Sequence, residues 1–357
     1  MRLTRPLVFS NRLMQLTLDS PLTRLSRFVA DLPRFLSRGA SDGRSYDYHK
    51  TVLLDESVDA AMGENDAPVI VDGTFGGGGH TELFLKRGAR VIAIDRDPEA
   101  LERGQEIVER YGEQLTLVEG NFADIETHLK ALGISRVDGV LVDLGVSSRQ
   151  LDAAERGFSF MRNGPLDMRM GRDVTQTAAD LVNTLDEGEL ADIIYKYGED
   201  RASRRIARAI CERRRTKAFT ETLDLADCIA GVVRKSGKIH PATRTFQALR
   251  IAVNGELDAV EKLLTASRSV LAPGGRLAVI SFHSLEDRLV KLFLKHAATP
   301  ELDRPEWPAP RPNPDHFCKL VTRKPILAGP HELEVNARSR SAKLRVAEVL
   351  NPKPERP

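Results

Sequence analysis

Short apolar runs separated by longer amphipathic stretches set the rhythm of the chain from Val52 onward. The runs fall at 68–72, 90–95, 115–118, 138–143 and 276–282. Each is too short for a helix and lacks the apolar–polar alternation of a strand with one wet face, which predicts strands buried on both sides of a parallel sheet. The stretches between them read as helical. Asp97–Tyr111 is the clearest, because Asp97 can cap the first turn and Pro98 occupies the first helical position. Strand and helix in alternation predict a doubly wound α/β sheet whose ligands bind at the carboxyl ends of the strands. Asp72, Asp95 and Asp143 all fall at such ends.

Between about 150 and 250 the alternation stops. Leu181–Gly198, Ala202–Arg215, Leu223–Lys235 and Thr243–Leu264 read as helices. The expected organisation is therefore a discontinuous α/β body, 46–150 and 251–350, carrying a helical insertion at 151–250. Leu271-Ala-Pro-Gly-Gly-Arg276 reads as a tight turn into the last parallel strand, and the proline-rich 298–315 as irregular. Alternating runs in Thr322–Leu350 suit two edge strands. No internal repeat is apparent.

A length of 357 residues is a prior for about two domains. The net charge is only +2, so any contact with nucleic acid has to rest on local basic patches. Cys211, Cys228 and Cys318 stand apart with no Cys-x-x-Cys, which fits a reducing compartment without structural disulfides or a metal centre. No apolar run approaches the ~20 residues of a membrane helix. Residues 1–45 form a basic leader: Arg2, Arg5, Arg12, Arg24, Arg27, Arg34 and Arg38 face only Asp19 and Asp31 up to that point. It reads as an organelle transit peptide, a basic extension that touches RNA, or a start placed too far upstream. It lacks the continuous apolar stretch of a secretory signal.

Val69-Ile-Val-Asp-Gly-Thr-Phe-Gly-Gly-Gly-Gly-His80 followed by Arg90-Val-Ile-Ala-Ile-Asp-Arg-Asp97 gives the order strand, glycine loop, helix, strand, acid. Glycines let a ligand approach the backbone, the next helix offers free N–H groups, and the acid can hold both hydroxyls of a ribose. The dinucleotide pattern G-x-G-x-x-G fails, because the third glycine would fall at Glu82 or Thr81. No triphosphate loop of the G-x-x-x-x-G-K-[ST] type is present. Asp-Gly-Thr-x-Gly-x-Gly-Gly-His instead looks like the first motif of S-adenosylmethionine-dependent methyltransferases.

Longer strings make the resemblance specific. They are His49-Lys-Thr-Val-Leu-Leu-Asp-Glu56, Ala93-Ile-Asp-Arg-Asp-Pro98, Asp143-Leu-Gly-Val-Ser-Ser-Arg-Gln-Leu-Asp152, Glu155-Arg-Gly-Phe-Ser-Phe160 and Gly164-Pro-Leu-Asp-Met-Arg-Met170. Pro241-Ala-Thr-Arg-Thr-Phe-Gln247, Ile280-Ser-Phe-His-Ser-Leu-Glu-Asp-Arg288 and Ala337-Arg-Ser-Arg-Ser341 complete the set. Over about 49–350 the chain resembles the RsmH (MraW) family of small-subunit ribosomal RNA cytosine-N4 methyltransferases. Thr51, where many members carry proline, and the poorly matching 298–335 depart from the pattern. The resemblance implies a Rossmann-like class I methyltransferase sheet, S-adenosyl-L-methionine as cofactor, and small-subunit rRNA or the small ribosomal subunit as partner. It implies a cytoplasmic enzyme with no membrane role; the mitochondrial matrix is the alternative if the leader is a transit peptide. Oligomeric state stays open, a homodimer included.

The same resemblance assigns Gly78, Gly79 and His80 to the methionine end of the cofactor, Asp95 to the ribose and Phe122 to the adenine, with Asp143 and Gln150 completing the set. Taken singly, His80 reads as a helix cap and Phe122 equally as a core residue. Asp143 is the candidate catalytic acid. The exocyclic amine of cytosine is conjugated with its ring, so an acceptor that binds its N–H would return electron density to nitrogen and later take a proton. Methyl transfer otherwise needs alignment, and no metal is expected. Carbon-5 methylation would need a cysteine nucleophile. None of the three cysteines follows a proline at a strand end, which favours an amine target.

Arg201, Arg204, Arg205 and Arg208 recur at i, i+3, i+4 and i+7 on one helical face, and Arg213, Arg214, Arg215 and Lys217 continue the run. The stripe suits an RNA backbone, the alternative being a solvated face. Arg244, Arg338 and Arg340 are further candidates. Phe158, Phe160 or His283 could pack beside a base taken out of its stack. Two rival readings remain: a non-catalytic ribosome-assembly factor that keeps the fold only to bind RNA, and a nicotinamide-dependent oxidoreductase. The intact glycine loop and Asp95 speak against the first, and the failed dinucleotide pattern against the second.

Overall fold

The computed structural model describes residues 51–234 and 239–351; the basic leader 1–45 lies outside them, as does Lys235. After α1 (Leu54–Met62) the body alternates β1 (Val69–Asp72), α2 (Gly79–Lys86), β2 (Arg90–Asp95), α3 (Pro98–Tyr111), β3 (Leu115–Glu119), α4 (Ile125–Ala131) and β4 (Val137–Asp143). The short α5 (Ser148–Asp152) leads into five helices: α6 (Ala178–Thr184), α7 (Glu187–Gly198), α8 (Ser203–Arg214), α9 (Thr222–Val232) and α10 (Thr243–Asn254). The chain returns through α11 (Glu256–Val270), β5 (Leu271–Ser281) and α12 (Ser284–Ala297), and ends with β6 (Glu301–Leu302), β7 (Arg311–Pro312), β8 (Cys318–Leu320), α13 (Pro330–Val335) and β9 (Lys343–Val349).

Seven strands form one sheet in the order β3-β2-β1-β4-β5-β9-β8. The pairings from β3 to β5 are parallel, and β9 runs antiparallel to both β5 and β8. Successive residues of each strand feed opposite faces. Val140, Val142 and Val279 pack under α4, α11 and α12, whereas Leu141, Ala278 and Ile280 pack under α1, α2 and α3. Strand order reverses between β1 and β4, so a crevice opens there at the carboxyl ends. Asp72 and Asp143 stand on its two sides.

A separate core lies within residues 158–253, built on Leu190, Ile194, Ile206, Ile210, Phe219, Phe246 and Leu249. Two expected helices are each broken in two. Asp186 caps α7 through Glu189 N–H (2.7 Å) and Glu189 answers in a reciprocal box, which ends α6 just before it. Gly255, in the left-handed region at φ 60°, separates α10 from α11. The expected turn at 271–276 is instead part of β5, where the register against β4 shifts between Val137 and Gly139. The proline-rich 298–315 contains the β6–β7 pair, and only β9 of the two edge strands lies inside 322–350, since β8 precedes it.

Candidate active site

Beyond Asp72 the chain turns at Gly73, whose N–H donates to Leu141 O on β4 (2.8 Å), and Phe75 N–H donates to Ile94 O on β2 (3.0 Å). The glycine loop is thereby pinned across the ends of three strands. A Cβ at Gly73 would lie 2.9 Å from Val142 Cγ2 and 3.1 Å from Phe122 Cβ, so only glycine fits. Gly76 and Gly78 have φ of 53° and 77°, which favours glycine. A Cβ at Gly77 would meet nothing within 4 Å, so the loop shows its backbone to open space.

Asp95 closes against this loop. Its Oδ2 accepts from Gly76 N–H (2.7 Å) and its Oδ1 from Asp97 N–H (2.9 Å). Burial raises its carboxyl above the ordinary value, and the two N–H groups pull it back. Each oxygen keeps lone-pair capacity for a ribose hydroxyl. Half-buried Phe122 follows β3 and packs by Gly73.

Asp143 is held differently. Its N–H donates to Thr74 Oγ1 (2.7 Å), which ties β4 to the glycine loop, yet its Oδ1 is shut from solvent with no hydrogen-bond partner. Burial, then the charges of Asp72 and Glu286, hold its carboxyl well above the usual carboxylate range. Asp72 is itself buried, accepting from Thr81 Oγ1 (2.7 Å) and Thr74 N–H (3.2 Å), and burial pushes it up to about 6.

Glu286 reaches the same place from the first turn of α12. It accepts from the N–H groups of Phe282 (2.8 Å) and His283 (3.2 Å). His283 Nε2 lies 3.0 Å from its other oxygen but is misaligned for a hydrogen bond. Burial alone would raise Glu286; His283, Arg250 and the Phe282 N–H outweigh it and hold the carboxyl below its ordinary value. Glu256, His283 and Glu286 bring their ligating atoms within 4.8 Å of one another. Arg250, however, already grips both oxygens of Glu256 (2.8 and 2.7 Å), so the group is an ion-pair network rather than a metal centre.

The remaining expected cofactor residues also make contacts within the frame of the site. Gln150 is buried; it accepts from Ser147 N–H (2.9 Å) and donates to Asp97 Oδ2 (3.2 Å). Arg156 donates to the same Asp97 oxygen (2.9 Å), so α5 is strapped to the start of α3 beside Asp95. His80 is buried with Nε2 3.2 Å from Val52 O, and burial pushes its imidazole down to about 4, leaving it neutral. A Cβ at Gly79 would collide with Thr51. Gly79 and His80 thus seat the 51–53 segment against α2.

The structure therefore brings Gly78, Asp95, Phe122 and Asp143 to one set of strand ends and adds Asp72, Thr74, Thr81 and Glu286. Glu286 follows His283 at capping-box spacing, a legible signal for its backbone role but not for its proximity to Asp143. Two expectations are corrected. Phe158 is buried in the second core, and Phe160 packs on Phe246 (4.8 Å between centroids) and His240 (4.7 Å), so both rings are spent on packing. Arg213 pairs with Asp224 and lies over Phe219, while Arg214 donates to the carbonyls of Val182 and Leu185 (2.6 Å each), closing the end of α6. Those two arginines leave the stripe. Arg201, Arg204, Arg205 and Arg208 are exposed, with Arg208 near Glu187 (3.4 Å). Arg244, also exposed, donates to Glu199 O (3.3 Å).

A mostly parallel sheet with its switch point at β1 and β4, a glycine loop after β1 and an acid at the end of β2 give a Rossmann-like α/β fold, and the family match makes it a methyltransferase. The chain belongs to the MraW methylase family, whose model matches residues 47–350. It is 51% identical to the ribosomal RNA small subunit methyltransferase H of Magnetococcus marinus, over 85% of this chain and 98% of that one. It is 53% identical to the protein of the same name from Rhodospirillum centenum, over 87% and 94%. A solved putative methyltransferase from Streptococcus mutans in complex with SAH aligns with 85% of this chain and 100% of its own, at 15% identity and a TM-score of 0.36.

Proposed function

We propose that this S-adenosylmethionine-dependent methyltransferase modifies the exocyclic N4 of a cytidine in small-subunit ribosomal RNA. The observation that carries the reading is the unpartnered Oδ1 of Asp143 at the mouth of the β1–β4 crevice, beside the glycine loop. The names of the relatives supply the RNA class.

The cofactor, when bound, supplies a methyl group activated on a sulfonium. Asp95 accepts from the ribose hydroxyls, Phe122 covers the adenine, and Gly76 to Gly78 let the methionine end lie against the loop. Gln150, His80 and Asp97 hold that cradle in shape. The Asp143 carboxylate accepts an N–H of the amine, orients the nitrogen lone pair toward the methyl and takes the proton that transfer releases. Cys211 and Cys318 are buried, and burial raises all three thiols, Cys318 to about 11, so no cysteine is primed to attack a ring carbon.

The body 46–150 plus 251–350 then binds cofactor, and the insertion 151–250 binds RNA through Arg201, Arg204, Arg205, Arg208 and Arg244. No helix among the described residues is long and apolar enough to cross a membrane; the proposed location is the cytoplasm, with the small subunit. Nucleoside mass mapping of small-subunit RNA from cells with and without the protein tests the function. Loss of one N4-methylcytidine is expected. An unchanged modification pattern, or loss of a carbon-5 methyl instead, would sink it.

A further inference from the structure

Three carboxyl groups come together at the proposed methyl-donor site: half-buried Asp143 from β4, whose Oδ1 is shut from solvent, and the buried Asp72 from β1 and Glu286 from α12. Positive charge is shared among them unevenly. Glu286 has His283 beside it, Arg250 behind it from α10, and two backbone N–H groups. Asp72 has the Thr81 hydroxyl and the backbone N–H groups of Thr74 and Thr81 but, among the described residues, no cation. Asp143 Oδ1 has nothing. Asp95 on β2 adds negative charge next to Asp72, while Glu256 on α11 is offset by Arg250. A carboxylate with one oxygen shut away and unpartnered beside two other acids favours keeping its proton until a cation arrives.

Resting on the function proposed above, we propose that binding of the methyl donor expels one proton from this carboxyl cluster, at Asp143, whereas binding of the demethylated product expels none. The donor and its product share the adenosine and amino-acid parts that Asp95, Phe122 and the glycine loop would hold. They differ in charge at sulfur: the donor is a sulfonium cation, the product a neutral thioether. Only the donor offers Asp143 the missing positive partner.

The reaction balances on this basis. Asp143 gives its proton to solvent as the cationic donor arrives. In transfer, the amine lone pair forms the new N–C bond, the C–S bond breaks, and its electron pair stays on sulfur. Asp143 takes the proton that the nitrogen must lose and is again an uncharged acid when the neutral product leaves. The local charge is the same before and after transfer, so the net proton of the reaction reaches solvent at cofactor exchange and not at the chemical step. Asp72 and Glu286 hold Asp143 to this cycle by opposing a bare negative charge there. Selectivity for donor over product should therefore rise with pH, by up to about tenfold per pH unit while the cluster keeps its proton.

Isothermal calorimetry on the full-length protein tests this, with S-adenosylmethionine and S-adenosylhomocysteine each titrated in buffers of low and high ionisation enthalpy. In the weakly acidic to neutral range the donor should release about one proton more than the product. In folded Asp143→Asn that difference should vanish while both ligands still bind. Equal release by the two ligands, or an undiminished difference in Asp143→Asn, would overturn the proposal. If circular dichroism shows that the variant does not fold, the wild-type comparison of the two ligands decides alone. Failure of the wild type to bind either ligand would instead remove the functional reading beneath the proposal.

Discussion

Asp95 and Asp143 make an instructive pair. Both end a parallel strand, both are carboxylates, and both border the same crevice. Asp95 meets two backbone N–H groups, one from the glycine loop and one from two residues along its own chain. Asp143 meets none at Oδ1 and instead faces two other acids. Backbone donors satisfy both oxygens of the first and offset part of the burial that raises it. Their absence makes the second an acid whose charge waits on what binds. Two copies of one residue type at equivalent strand ends thus differ by their neighbours alone, and the proposed division between holding and reacting rests on that difference.

The comparison breaks most sharply at Asp143. Asp143→Asn keeps the shape but replaces a proton acceptor by a neutral amide. Single-turnover methylation of small subunits at saturating cofactor should slow by about 10²–10⁴-fold. A near-normal rate there would leave Asp143 as a cofactor contact and dissolve the contrast with Asp95.

Asp72, which stands between the two acids, sharpens the contrast through pH. Its folded value of about 6 lies above the ordinary 3.8, so the folded state holds the proton longer. That contribution to stability is complete below the ordinary value and is lost as pH rises through about 6. Asp72→Asn should therefore gain on the wild type by on the order of 3 kcal/mol between pH about 4 and about 6. His80 works in the opposite sense: pushed from 6.5 to about 4, it favours folding above the ordinary value and that advantage fades as pH falls toward about 4. Urea unfolding of cofactor-free protein across this window checks the sign; a variant that loses ground with rising pH would contradict the burial of Asp72.

At Asp95 the expected loss is in binding and not in rate. Asp95→Ala removes charge-assisted contacts to the ribose and should weaken cofactor binding by about 1.5–3 kcal/mol. Calorimetry reads the affinity. A fall in the saturated rate as large as that of Asp143→Asn would mean that the two acids are not divided as argued.

The smallest effect on the site itself belongs to the basic face of α8. Reversing Arg204, Arg205 and Arg208 to Glu should leave cofactor affinity unchanged and reduce the slope of log RNA affinity against log salt by about two. Filter binding over a salt series measures it. An unaltered slope would return the stripe to the role of a solvated face.

How much of this was legible depended on range. The apolar runs located β1, β2 and β4 to within about a residue at each end, because burial on both faces leaves a composition that a single strand displays. Asp97 with Pro98 announced α3, and a glycine loop followed by a strand ending in Asp95 placed that acid beside the loop. These signals lie within a few residues of the groups they describe. The capping box of Asp186 and Glu189 and the glycine at 255 were equally local, yet the continuous apolar spacing across them hid the breaks in the helices. Arg213 and Arg214 looked like members of the stripe because helical spacing does not say which long side chains will turn back to cap a neighbour.

The sequence by itself determined the order of strands and helices, the glycine loop, the strand-end positions of Asp72, Asp95 and Asp143, and membership in a methylase family. Only the tertiary structure decided that Gln150 bonds to Ser147 and Asp97 and His80 to Val52, and that Asp143 stands near Asp72 and Glu286 with its Oδ1 unpartnered. The physical reason is that secondary structure and capping follow from spacing along the backbone. The charge state of a buried carboxyl follows from which groups are packed within a few ångströms of it, and those come from elements far apart in the chain.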